Sequence, residues 1–307
     1  MANYTIKDLE KMTGVKAHTI RIWEKRYHII NPQRTTSNIR FYQDDDVKLL
    51  INVANLNRKG YKISRIAQMD PSDIAQEAAE DSIENYDKDG QLDALTIALV
   101  EMDGYKFDRI FNRNLIQMGF EKTIENVILP FLSKLNVLWI TGSIHPVQEK
   151  FIGLLIRQKI CAAIDQLGEK NNTHFKKFLL FLPLEDTKEL SVLYLHYILR
   201  VQGYQVVNIG CNVALEDLRQ ACILQHPDYI LTFQQENQAA SPKSYVLEAH
   251  KVSPGIQIFI SGEQIAFQEI STCRFINIFQ TMSEMVLYLK DLSLENPMRY
   301  IPSNSKH

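Results

Sequence analysis

The sequence predicts a multi-domain chain with α and α/β parts. They are an N-terminal winged helix-turn-helix, a four-helix bundle and a C-terminal doubly wound, five-stranded parallel sheet of flavodoxin-like type. Three observations predict this. Residues 3–42 set two short amphipathic helices across a glycine and follow them with a basic hairpin. Residues 91–170 keep apolar side chains at helical spacing almost throughout. From residue 176 onward, short apolar runs alternate with helical stretches, the βαβ rhythm of a parallel sheet.

Thr5 and Asp8 have the form of a capping box, so a first helix starts at Ile6. Ile6, Leu9 and Met12 give it one apolar face, and Gly14 supplies the left-handed turn that ends it. A second helix over 17–27 buries Ile20 and Trp23 and turns Lys16, His18, Thr19 and Arg21 outward. These outward side chains include donors suited to phosphates and base edges in a major groove. Pro32 opens a segment to Tyr42 whose polar centre and alternating flanks predict a two-stranded wing. A helix over 44–60 has acids crowding its first turn, and a short one near 63–69 closes the head.

The spacing then places a head over 1–72, an acidic linker over 73–90, a bundle over 91–172, a Rossmann-like domain over 173–295 and a tail over 296–307. Bundle helices are expected near 91–103, 106–118, 121–139 and 145–167. Strands are expected at 178–182, 205–209, 229–233, 257–260 and 275–279, with helices filling the gaps. Such a sheet binds ligands beyond the carboxyl ends of its strands, at the point where strand order reverses.

The net charge of −2 hides an asymmetry. Residues 1–70 hold 13 Lys+Arg against 7 Asp+Glu, and the rest holds 21 against 29. A basic head on an acidic body fits nucleic-acid binding by one domain, because phosphate neutralisation needs a localised positive face. The 307 residues suffice for two or three cores. No long apolar stretch predicts a membrane span, and no secretory signal stands at the N-terminus, so a cytoplasmic protein is expected. Cys161, Cys211, Cys222 and Cys273 lack metal-ligand spacing, which predicts reduced thiols and no metal site. No nucleophile with its base, carboxylate pair or metal cluster stands out, and no enzyme is expected.

The string Ile20-Arg21-Ile22-Trp23-Glu24-Lys25-Arg26-Tyr27, with Arg34, Arg40 and Tyr42 after it, resembles the winged helix-turn-helix of the MerR family of transcription regulators. The similarity runs over roughly 70 residues and rests on many spaced positions. It is similar to the CarH/LitR-like subgroup, which couples this head to a cobalamin-binding photoreceptor module. The resemblance implies that Lys16, His18, Thr19, Arg21, Arg26 and Tyr27 of the helix face DNA, with Arg34, Asn38, Arg40 and Tyr42 of the wing. It also implies an inverted-repeat operator in double-stranded DNA, bound at least as a dimer. The stretch over 73–90 is too short for the long dimerising helix of ordinary members, so self-association is expected from the body.

The body resembles the paired cap and Rossmann-like modules of cobalamin-binding proteins, with departures at the site. In that family the loop after the first strand carries Asp/Glu-x-His-x-x-Gly, the histidine ligating cobalt and the glycine letting the nucleotide tail pass. The matching segment here is Asp186-Thr187-Lys188-Glu189-Leu190-Ser191. A protonated lysine has three donors and no lone pair, so Lys188 is a poor cobalt ligand. The family's Ser-x-Leu is Thr232-Phe233-Gln234, where a ring enters the space of the tail, and its tandem glycines are Ser261-Gly262. Its Trp-x9-Glu-His is Trp139, Glu149 and Lys150, so the cap histidine is also a lysine. His145 and His196 are expected to be ordinary surface or core histidines. Trp139 is expected to be a core anchor and Glu149 a capping or ion-pair residue, the alternative being walls of an effector pocket.

These readings predict a DNA-binding regulator, a repressor by resemblance, whose body has lost cobalt ligation and acts without cobalamin. RNA polymerase or an unknown effector would be further partners. The alternative is a true cobalamin-dependent light sensor that binds the corrinoid without its lower histidine. A corrinoid enzyme leaves the DNA-binding head without a role.

Overall fold

The computed structural model describes residues 4–34, 40–84, 88–140, 143–168, 176–184, 188–234, 242–252, 254–262 and 275–295. The chain falls into two compact units, residues 1–155 and 156–307.

The first unit opens with α1 (Ile6–Thr13) and α2 (Ala17–Tyr27). The capping box forms as the sequence predicts: Thr5 N–H donates to Asp8 Oδ2 at 2.7 Å, and Asp8 N–H donates to Thr5 Oγ1 at 3.3 Å. Gly14 ends α1 at φ +73°, where a side chain would be strained. The wing is a short antiparallel ribbon, β1 (Gln33–Arg34) and β2 (Arg40–Phe41). Next comes α3 (Asp44–Arg58), with three acids in its first turn and Val47, Leu50, Ile51, Val53, Ala54 and Leu56 buried. A short α4 (Ile63–Ile66) leads into α5 (Pro71–Glu84).

The stretch expected to be a linker is therefore largely helical. Its reason is tertiary: Ile74 and Ala78, four apart, are buried on the face of α5 that packs against α3. Four bundle helices follow: α6 (Lys88–Glu101), α7 (Gly104–Met118), a composite third helix and α10 (Pro146–Gln166). The composite helix joins α8 (Phe120–Thr123) to α9 (Leu129–Ile140) through a π turn over Ile124–Ile128. Pro130 explains the π turn. It has no N–H to continue the α ladder, and Leu129 N–H bonds instead to the carbonyl of Ile124.

The second unit begins within α10 and holds the sheet. Its strands are β3 (Lys177–Leu180), β4 (Gln205–Asn208), β5 (Tyr229–Gln234), β6 (Gln257–Gly262) and β7 (Ile276–Phe279). Among the described residues all are parallel, in the order β4-β3-β5-β6-β7. The helices α11 (Glu189–Val201), α12 (Leu215–Gln225) and α13 (Pro242–Val252) form crossovers between successive strands, and α14 (Met282–Glu295) follows β7. The order reverses at β3, so the switch point lies between the carboxyl ends of β3 and β5. Lys188 and Ser191 follow β3, and Thr232 and Phe233 end β5. The core alternates Leu179 and Phe181 with Ile230, Ile258 and Ile260 under α12 and α13.

Candidate DNA interface and effector site

In the head, Glu10 on α1 sets the start of α2. Its Oε2 accepts from Ala17 N–H at 3.1 Å and its Oε1 pairs with Lys16 Nζ at 3.1 Å. Those two contacts, the backbone bond first, hold the Glu10 carboxyl below the usual range. With Ile20 and Trp23 buried, α2 exposes His18, Arg21, Lys25 and Arg26 and partly exposes Thr19 and Tyr27. Arg26 lies 5.5 Å from the Tyr27 ring centroid, a cation–π contact. Lys25 is absent from the sequence-derived contact set. The signal was available, since it lies seven residues after His18 on the same helical stripe.

The wing residues divide by role. Arg34 and Arg40 are direct cross-strand partners and are exposed. Opposed like charges on one face of a ribbon repel, a cost that an anion between them would remove. Arg40 Nε also donates to Glu24 Oε1 at 3.2 Å, and Tyr42 Oη donates to Glu24 Oε2 at 3.3 Å. Glu24 of α2 thus fastens the wing to the helix. Tyr42 is fully buried, and burial followed by the Glu24 charge pushes its phenol up to about 12. Its backbone exchanges two 2.9 Å hydrogen bonds with Tyr4. That places Tyr42 as a support beneath the wing and not on its surface. Asn38 lies outside the described residues.

The residues expected around an effector divide between the two units. In the first, Trp139 is 49 % exposed, not a core anchor. Leu135 and Leu138 in the last turns of α9 are buried, whereas Trp139, one turn after Leu135, is exposed. Glu149 lies in the first turn of α10, where its charge suits the helix dipole. Neighbouring Gln148 makes the cap by accepting from His145 N–H at 2.9 Å. Lys150 and His145 are exposed.

In the second unit Lys188 sits at the N-cap of α11, and its carbonyl accepts from Ser191 N–H at 3.0 Å. Its Nζ lies 5.8 Å from the ring centroid of Phe233, itself buried at the end of β5. Thr232 and Ser261 are buried on adjacent strands in register, Thr232 beside Ile260 and Phe233 beside Ser261, and Gly262 ends β6. Between the sheet and α13, the slot lined by Thr232, Phe181, Ile230 and Tyr245 retains about 10 Å³. Tyr245 closes it, its hydroxyl donating to Val213 O at 2.9 Å and its ring 5.7 Å from that of Phe181. A space of that size holds about one water.

A separate cleft of about 420 Å³ runs between the end of α10, α11 and β4. His196 lines it, with Nε2 out of reach of solvent and unpartnered, and burial pushes the imidazole down to about 4. Among the described residues no three His, Cys, Asp or Glu side chains are placed to hold a metal ion. No described helix is long and apolar enough to cross a membrane.

The head is similar to the helix-turn-helix of MerR-type transcription regulators, and the body has the fold of corrinoid-binding domains. Residues 4–72 match the family described as MerR HTH family regulatory protein. The chain is 26 % identical over 233 residues to the HTH-type transcriptional repressor CarH of Myxococcus xanthus, covering 74 % of this chain and 77 % of CarH. It is 25 % identical to the repressor CarA of the same organism, over 73 % of this chain and 74 % of CarA. These relatives are regulators and not enzymes. The body shares its fold with the monomethylamine corrinoid protein of Methanosarcina barkeri, at a TM-score of 0.51 and 14 % identity. That match covers 64 % of this chain and 94 % of the other.

Proposed function

We propose that the chain is a repressor that binds an inverted-repeat operator as a dimer and does so without cobalamin. The observation that supports cobalamin independence is Lys188, held over the Phe233 ring at the position where the family motif places its cobalt-ligating histidine. In this reading Lys16, His18, Thr19, Arg21, Lys25 and Arg26 face the major groove. Arg34 and Arg40 grip a flanking phosphate, while Glu24 and Tyr42 hold Arg40 in place. Self-association resides in the body, and joining two heads raises operator affinity through effective concentration.

Chain mixed with adenosylcobalamin in the dark and passed through gel filtration is expected to emerge colourless, with operator binding unchanged by light. Coloured protein with light-sensitive operator binding would establish the photoreceptor reading instead.

Arg21→Ala is expected to cost about 1–3 kcal/mol on the selected operator and to relax base discrimination. Arg40→Ala is expected to weaken selected and random duplexes alike and to flatten the salt dependence, because phosphate contacts carry no sequence information. Electrophoretic shift titrations at several salt concentrations measure both. The assignment fails if Arg40→Ala, not Arg21→Ala, changes which duplex is preferred.

A further inference from the structure

The solvent face of α2 carries one large apolar side chain that the core does not use. His18, Arg21, Ile22 and Lys25 follow the i, i+3, i+4, i+7 spacing of a single stripe, and all four are exposed. Ile22 is 50 % exposed in the middle of it. A second copy of this face is a poor occupant, because Arg21 and Lys25 would meet their like. The polyanion that these side chains suit presents one apolar group in its major groove, the C5-methyl of thymine.

Resting on the reading of α2 as the recognition helix, we infer that Ile22 is a specificity-determining residue. It packs its branched side chain against a thymine methyl next to the group held by Arg21. Its place in the sequence hides it: between Ile20 and Trp23, an isoleucine counts as core. Only its position on the exposed stripe separates it from them.

The test uses the full chain and an operator that the wild type selects from random duplexes. Each thymine is replaced singly by deoxyuridine, which keeps every hydrogen-bonding group and removes only the methyl. Burying one methyl between two partners is worth about 3–5-fold in affinity. One deoxyuridine position per half-site is therefore expected to weaken wild-type binding by about that factor and to leave Ile22→Ala unaffected. Ile22→Ala should lose the same factor on the thymine duplex, while its thermal melt stays that of the wild type. Ile22→Gln, whose amide matches N6 and N7 of adenine, should select a different base at that position.

The inference is overturned if no deoxyuridine position distinguishes wild type from Ile22→Ala, or if the selected half-site lacks thymine. An equal loss by Ile22→Ala on selected and random duplexes also overturns it, leaving Ile22 as a backbone contact. If Arg21→Ala still loses discrimination in those cases, the recognition-helix reading survives. If both variants bind and select as the wild type does, that reading falls as well.

Discussion

Asp93→Ala is expected to lower the melting temperature of the first unit by roughly 10 °C, from a loss of about 3–5 kcal/mol. Asp93 of α6 is buried, with Oδ2 paired to Arg58 Nη2 of α3 and Oδ1 3.3 Å from Lys134 Nζ of α9. Arg58 Nη1 also donates to Thr13 O at the end of α1, at 3.3 Å. One carboxylate therefore ties the head helices to two bundle helices. Burial pushes the Asp93 carboxyl up and the Lys134 amine down, and the opposite charges pull both back. Removing Asp93 leaves the largely buried Lys134 without its counter-charge and beside the Arg58 guanidinium, which is why the loss exceeds the worth of a surface ion pair. The apolar replacement Arg58→Met, Asp93→Leu, Lys134→Met should recover most of the stability, since desolvation nearly cancels the attraction in such a cluster. Melts followed by circular dichroism at pH 7 decide it. A single variant within about 1 kcal/mol of wild type would mean that water screens the cluster.

His196 is expected to make the second unit lose about 3 kcal/mol as pH falls from about 6.5 to about 4. The sign follows from burial, with the nearby Arg200 charge acting in the same direction. The folded imidazole stays neutral down to about 4, whereas the unfolded one takes up a proton near 6.5. The contribution is complete above the unfolded value and is lost between the two. His196→Leu removes this term while other carboxylates titrate alike in both proteins, so the difference between the two chains isolates it. Denaturant unfolding at pH 7, 5.5 and 4.5 should show the variant gaining on the wild type at each acid step. A difference that stays constant across that range would place the ring in contact with water.

Short-range chemistry made much of this protein legible before any contact was known. The Thr5–Asp8 box, the Gly14 turn and the Ile20/Trp23 spacing act within one or two helical turns, and the helices begin and end where those signals lie. The five strands fall within a few residues of their apolar runs, because a parallel sheet buried on both faces needs unbroken apolar segments. The lysine at position 188, where the resembled motif has histidine, is likewise a matter of residue type. The sequence by itself thus determined the class of head and the class of sheet.

Tertiary structure decided which side chains face outward and which are held. Trp139 is exposed although Leu135, one helical turn before it, is buried. The stretch over 71–84 is helical because α3 covers Ile74 and Ala78. Arg40 is tethered by Glu24, sixteen residues away. Tyr245 closes the slot beside Thr232 through a bond to Val213, thirty-two residues away. Each outcome depends on which faces meet across the core, and burial between distant segments leaves no local pattern in the chain.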